Sequence, residues 1–168
     1  MNPLDTPLGY STNFLFVPGT RPERFVKALD SGASGVVLDL EDAVAEEDKV
    51  SARDAIRAAW PNFSTEQKKR LVIRTNSPGS KFYAADLILA QELQVACLLI
   101  PKSESLDQIN GAALILPNTA IIPMIETAVG LDQLKEIANS NQVIRLALGN
   151  LDLQADLGMV CDRQETEL

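Results

Sequence analysis

The sequence predicts an α/β domain: a parallel sheet with helices packed over it. Two observations carry this. Short apolar runs alternate with amphipathic stretches along the chain. Those runs are nearly continuous in apolar residues, the pattern of strands covered on both faces. A third observation narrows the class. Neither G-x-G-x-x-G nor G-x-x-x-x-G-K-S/T occurs, so the glycine-rich nucleotide fingerprints are missing. Periodicity alone allows both an open doubly wound sheet and a barrel.

Phe14-Leu-Phe-Val17, closed by Pro18-Gly19, reads as the first strand. Thr20-Arg-Pro-Glu23 then carries a helix-start pattern, with Thr20 as N-cap and Glu23 three residues on. Phe25, Ala28 and Leu29 are spaced for the core face of that helix, which Ser31-Gly32 ends. Gly35–Leu40 is the second strand. A helix over about 47–59 follows and stops at Trp60-Pro61, and 62–69 is a polar connection. Arg70–Thr75 is the third strand, with a turn at Asn76-Ser-Pro-Gly79. The third helix covers about 82–93, and the fourth strand 94–100. Ser103 is placed to cap a fourth helix over about 105–114. The fifth strand covers 119–125. A fifth helix over 129–138 puts Leu131, Leu134 and Ala138 in register, and the sixth strand covers 143–148. A sixth helix starts near Asp152. No composition break occurs, so residues 1–168 read as one domain.

Composition excludes several functions. The 168 residues carry a net charge of −8, which argues against a general nucleic-acid or anionic-membrane footprint. The two cysteines, Cys97 and Cys161, form no disulfide framework, and Cys97 sits in an apolar run as a small core residue. No apolar run approaches the ~18 residues of a membrane span. The first residues lack the charged start and apolar centre of a signal peptide, so a cytoplasmic setting is expected. There is no histidine. Imidazole acids and bases, Ser-His-Asp triads and the commonest zinc ligand are therefore excluded. Chemistry here must use carboxylates, Arg, Lys, water or a metal with oxygen ligands.

The polar residues at strand carboxyl ends are the informative set: Asp39, Glu41 and Asp42, then Arg74 and Asn76, Lys102, Glu126 and Asp152. In a parallel α/β fold ligands collect at those ends. Glu126 and Asp152 suit Mg²⁺, which takes one or two carboxylates and keeps positions open for water and substrate oxygens. Arg74 offers a planar fork to a carboxylate. Solvation or helix capping is the commoner explanation of a charged strand end, and Glu41 and Asp42 would favour the positive end of a following helix.

These residues lie within a wider pattern. Phe16-Val-Pro-Gly-Thr-Arg-Pro-Glu-Arg24, Leu38-Asp-Leu-Glu-Asp-Ala-Val44, Val72-Ile-Arg-Thr-Asn76, Ile100-Pro-Lys102, Ile122-Pro-Met-Ile-Glu-Thr-Ala128 and Leu146-Ala-Leu-Gly149 with Asp152 and Asp156-Leu-Gly158 occur in that order. Together they resemble the citrate lyase beta-subunit-like proteins of the HpcH/HpaI aldolase superfamily. The resemblance implies a TIM-type barrel, Mg²⁺, and cleavage or formation of a carbon–carbon bond in a β-hydroxyacyl-CoA such as citryl-CoA or malyl-CoA. It implies metal ligation by Glu126 and Asp152, and a substrate-carboxylate contact from Arg74. Glu126 also falls near the substrate in this pattern. Asp39, Glu41 and Asp42 match the acidic group around the metal, and Arg21 matches the segment near the acyl-CoA.

Two departures stand out. The family usually has an acidic residue where Leu151 precedes Asp152. A complete barrel needs eight β/α units and typically ~250 residues, whereas about six strands are read here before the polar run 162–168. The expectation is thus a barrel domain incomplete at its C-terminal end, most simply a homo-oligomeric carbon–carbon lyase. A CoA-independent pyruvate-type aldolase and a non-catalytic assembly subunit are the alternatives. The lack of histidine fits the acyl-CoA lyase branch better, because the resemblance implies a histidine base in the pyruvate aldolase branch.

Overall fold

A computed structural model describes residues 6–160. Cys161 and the polar run after it lie outside the described residues. Six strands form one parallel sheet: β1 (Phe14–Pro18), β2 (Gly35–Asp39), β3 (Leu71–Arg74), β4 (Cys97–Ile100), β5 (Ala120–Ile125) and β6 (Ala147–Leu148). Their spatial order is their chain order, β1-β2-β3-β4-β5-β6. A doubly wound sheet reverses direction at a switch point. This one never does, so each β/α unit adds on the same side and the sheet curls into part of a (β/α) barrel. The choice that periodicity left open is thereby made.

The two-residue repeat of the strands sorts side chains onto two faces. Val36, Leu38, Leu71, Ile73, Leu98 and Ile121 face outward and are buried under the helices. Val37, Val72, Cys97, Leu99, Ala120, Ile122 and Met124 face the inside of the curl. Cys97 is fully buried there, as its sequence setting predicts, and burial pushes its thiol pKa up. Leu8, from a short 3-10 turn over Pro7–Tyr10, plugs the bottom of this inner core. Arg145, just before β6, donates to the Leu8 and Ser11 carbonyls at 3.4 and 2.5 Å and lies 5.3 Å from the centre of the Phe14 ring. The two ends of the sheet thus approach one another at the base. Among the described residues β1 and β6 do not pair, and Leu15 and Phe16 of β1 remain partly exposed.

Among the described residues eight α-helices complete the layer: α1 (Phe25–Leu29), α2 (Lys49–Ala59), α3 (Thr65–Lys68), α4 (Tyr83–Leu93), α5 (Leu106–Ile115), α6 (Ala128–Asp132), α7 (Leu134–Ala138) and α8 (Asn150–Leu157). The sequence reading needs correction in several places. Thr20 caps nothing: a 3-10 turn over Pro22–Arg24 has no side-chain cap, and Glu23 turns instead to Arg21. The polar stretch 62–69 contains α3, started by a capping box between Ser64 and Gln67. Ser105, not Ser103, caps α5, again reciprocally with Gln108. The Ser103 hydroxyl donates to the Ile100 carbonyl at 2.8 Å. The single helix over 129–138 is two helices that break at Gln133. Leu131 is exposed, and Ile137 is the buried anchor. The sixth strand is interrupted: Val143 bridges Ile121, the ladder resumes only at Ala147–Leu148, and between them Arg145 turns to the base.

Candidate active site

The inner-face parity continues past the apolar layer. On β2 it runs from Val37 to Asp39, on β3 from Val72 to Arg74, and on β5 from Met124 to Glu126, one residue beyond the strand. Above an apolar interior each of these strands therefore aims one charged side chain into the mouth. Asp152 enters from the first turn of α8, and Lys102 from the turn after β4.

The β2–β3 side is fully engaged. Asp39 and Arg74 are direct neighbours in the ladder. Arg74 Nε donates to Asp39 Oδ1 at 2.7 Å and Nη2 to Oδ2 at 2.6 Å, a two-pronged charge-assisted pair. Nη1 lies 3.1 Å from Glu41 Oε2 and 3.3 Å from Asp42 Oδ2. The backbone N–H groups of Glu41 and Ala43 donate to Asp39 at 2.8 and 3.2 Å. The guanidinium carbon sits 5.2 Å from the centre of the Phe16 ring. Burial works against the Arg74 charge, but the Asp39 hydrogen bonds and the charges of Asp39, Glu41 and Asp42 together outweigh it and raise its pKa. Lys49 holds the turn after β2 by donating to the Leu40 and Glu41 carbonyls, each at 2.7 Å. Burial lowers its pKa. Asn76 does not reach the mouth chemistry. Its backbone and side-chain N–H groups donate to Asp86 Oδ2, and Asp86 also pairs with buried Arg53 at 2.9 Å.

Glu41 joins the two sides. Burial pushes its carboxyl up to about 7, against the pull of Arg74. Its Oε2 is buried and accepts no aligned hydrogen bond, despite the nearby guanidinium.

The β4–β6 side is looser. Lys102 is, among the described residues, one of two non-glycine residues with positive φ, at 47°. That conformation aims its backbone N–H at Glu126 Oε1, 2.8 Å away. Its ammonium lies 3.6 Å from Asp152 Oδ2 and 3.9 Å from Glu41 Oε1, beyond hydrogen-bond length. Burial raises the Glu126 pKa, partly offset by the Lys102 N–H. Burial opposes the charge of Lys102, but the surrounding carboxylates, Glu41, Asp152, Asp42 and Glu126, together outweigh it and raise its pKa. Gly149 closes the site from behind: a Cβ there would lie 2.7 Å from Glu126 Cβ, closer than real side chains pack. Only a residue without a side chain lets β6 pass so near Glu126.

Arg21 stands apart. It is half-exposed in the turn after β1, and its Nε donates to Glu23 at 2.6 Å. That bond lowers the Glu23 pKa.

The donor set of Glu126 and Asp152 is all carboxylate oxygen. Among the described residues no group of three or more His, Cys, Asp or Glu is gathered for metal binding. Two carboxylates suit a hard divalent ion that completes its shell with water and substrate; the unsatisfied Glu41 Oε2 faces Arg74 instead, 3.1 Å from Nη1. They do not suit a closed structural zinc site.

Residues 13–168 match the HpcH/HpaI aldolase/citrate lyase family. The chain belongs to this family. The citrate lyase subunit beta-like protein of Mycobacterium tuberculosis is 37% identical over 145 residues, which cover 86% of this chain and 50% of that protein. The (3S)-malyl-CoA thioesterase of Cereibacter sphaeroides is 30% identical over 144 residues, again 86% and 50%. The L-malyl-CoA/beta-methylmalyl-CoA lyase of Rhodobacter capsulatus is 31% identical over 159 residues, with the same coverage. The chain thus spans about half the length of the curated relatives it matches. It superposes on the M. tuberculosis citrate lyase beta subunit complexed with oxaloacetate and magnesium with a TM-score of 0.81. Identity there is 33%, covering 98% of this chain and 69% of the other. The CitE protein of M. tuberculosis in complex with magnesium, acetoacetate and coenzyme A gives a TM-score of 0.79 at 35% identity, covering 92% and 55%.

Within this HpcH/HpaI chain, sequence reasoning named Lys102 as a strand-end cation but did not place it with the site. Nothing in the sequence signals its left-handed backbone, since lysine is not a residue that favours it. Gly149 carried a weak signal: a glycine ending the last strand, one helix turn before Asp152.

Proposed function

We propose that this chain contributes the carboxylate half of a Mg²⁺-dependent carbon–carbon lyase acting on a β-hydroxyacyl-CoA. The observation that carries the reading is the meeting of Glu126, Asp152 and Arg74 at one mouth. The Rhodobacter capsulatus relative is a malyl-CoA lyase, and the M. tuberculosis relative binds oxaloacetate and magnesium. In this reading Glu126 and Asp152 hold the ion. Magnesium bound there supplies Lewis-acid polarisation of the oxo-acid oxygens. Arg74 holds the oxo-acid carboxylate. It can release Asp42, its most exposed and most distant partner at 3.3 Å, while Asp39 keeps the guanidinium plane fixed. Arg21, half-exposed beyond β1, would reach a phosphate of the CoA moiety by exchanging its exposed partner Glu23 for it.

In the cleavage direction the bond between the hydroxyl-bearing carbon and the carbon next to the thioester breaks. The hydroxyl loses its proton and becomes the oxo-acid carbonyl. The carbon next to the thioester, left with the electron pair of the broken bond, takes up a proton, giving acetyl-CoA. The apolar floor of Leu99, Ile122 and Met124 excludes water beneath the reacting atoms and strengthens the electrostatics above it. The same reading has the free edges of β1 and β6 bridged by further β/α units, from this polypeptide or another. Exposed Leu15 and Phe16 support this.

The thioesterase relative favours a second reading, hydrolysis of the same thioester. One assay separates them. With Mg²⁺ and malyl-CoA or citryl-CoA, lysis releases acetyl-CoA and an oxo-acid, whereas hydrolysis releases free CoA and the hydroxy-acid. CoA-independent release of pyruvate from a hydroxy-keto acid would instead mark an aldolase. Acetyl-CoA release that Glu126→Ala abolishes is expected. Unchanged turnover in that variant would remove the lyase reading.

A further inference from the structure

We propose that the Lys102 ammonium is the resident counter-cation of the mouth, and that a divalent ion enters the carboxylate cluster by displacing it. The inference rests on the reading of Glu126 and Asp152 as ion ligands and adds the residue that sets their affinity.

Three features of Lys102 converge. Its backbone is held left-handed, a costly conformation for a side-chain-bearing residue and one that recurs where function over-determines the fold. The N–H made available in this way fixes Glu126 Oε1 at 2.8 Å. Its ammonium then falls between Asp152 and Glu41, at 3.6 and 3.9 Å. A committed charge-assisted hydrogen bond is about 2.7–2.9 Å long. The ammonium is therefore held by charge and not by a fitted bond.

The side chain can also leave. Lys102 is 42% exposed and Asp152 47%, so the ammonium has water to return to. A divalent ion between Glu126 and Asp152 would stand within a few ångströms of the ammonium and repel it. Ion binding and the inward Lys102 rotamer are then mutually exclusive. Lys102 acts as a positioning residue with two separable parts. Its backbone aims Glu126, and its side chain balances the cluster and competes with the ion.

The test is Mn²⁺ titration of the full chain followed by electron paramagnetic resonance, with Mg²⁺ as competitor. Lys102→Met removes the charge and keeps the stem. The expected result is Mn²⁺ binding about fivefold tighter, the upper range for loss of one partly exposed charge contact. Lys102→Arg keeps the charge and is expected to bind as the native chain does. Lys102→Gly permits the left-handed backbone, retains the N–H on Glu126, and should match Lys102→Met. It also serves if the methionine variant does not fold. Unchanged or weaker binding in both charge-removing variants overturns the assignment of Lys102, provided Glu126→Gln abolishes binding. Native binding that is absent, or indifferent to Glu126→Gln, overturns the ion-ligand reading and the Lys102 inference together.

Discussion

On the β2–β3 side of the mouth, Arg74 and Asp39 meet at 2.6 and 2.7 Å, and both are buried. On the β4–β6 side, Lys102 stands 3.6 Å from Asp152, and both are nearly half-exposed. The first pair is locked by ladder register, two backbone N–H groups and an aromatic ring. The second is held by charge alone. A site that must admit an ion and a substrate needs one wall that does not move and one that yields. The contrast teaches that a charged residue at a strand end can be scaffold or machinery, and that hydrogen-bond length and exposure tell which.

The largest effect should come from breaking the locked side. Asp39→Ala leaves Arg74 charged and buried with its main partner gone. Removing one member of a buried pair costs about 3–5 kcal/mol. For a domain of this size that lowers the melting temperature by roughly 10 °C. Urea denaturation and calorimetry read it directly. A loss below about 1 kcal/mol would mean that Glu41 and Asp42 suffice to hold Arg74, and the locked side would be less rigid than its distances imply.

Much of this division was out of reach of the sequence. The strand–helix alternation was legible because parallel strands are apolar on both faces, and the mouth residues because they end those runs. Residues 39, 74 and 126 even share the parity of the inner apolar positions. What could not be read is how β2 and β3 line up. Asp39 and Arg74 lie 35 positions apart, and nothing local says they are ladder neighbours. The sequence therefore offered Arg74 to a substrate without showing that Asp39 already grips it. The Lys102 backbone was hidden for a related reason: tertiary contacts with Glu126, not lysine's own preference, hold it left-handed. The α6–α7 break was hidden because the apolar spacing of 129–138 fits one helix and carries no proline.

Glu41 sits where the two sides meet, so its titration measures how well they are joined. Its folded pKa of about 7 lies above the ordinary value of 4.5, because burial penalises its charge. Between those values the folded protein keeps a proton that the unfolded chain has released. Its contribution to stability is therefore greatest below pH 4.5, declines as pH rises, and levels off above 7. The full span corresponds to about 3 kcal/mol as an upper bound. Comparing urea midpoints at pH 5 and pH 8 for the native chain and Glu41→Gln isolates the effect. The glutamine variant should lose less stability over that interval. Equal losses in both proteins would show that Arg74 neutralises Glu41 completely and that the two sides form one network.

The smallest effect on folding, and the sharpest on the comparison, is expected at Asp152. It occupies the first turn of α8, is 47% exposed, and among the described residues its one ion pair is with Lys102 at 3.6 Å. Asp152→Asn keeps the shape and removes the charge. Without a buried partner or a fitted hydrogen bond to lose, stability should change by no more than about 0.5 kcal/mol. If Asp152 is a ligand of the yielding side, the same variant should weaken Mn²⁺ binding at least about tenfold, since an amide oxygen is a poorer donor to a hard divalent ion than a carboxylate. A destabilised Asp152→Asn with unaltered ion binding would reverse the assignment, making α8 scaffold and leaving Glu126 without its second carboxylate. A stable variant that no longer binds the ion would place Asp152 opposite Asp39 in kind: the same side chain at the same mouth, one spent on the fold and the other left free for chemistry.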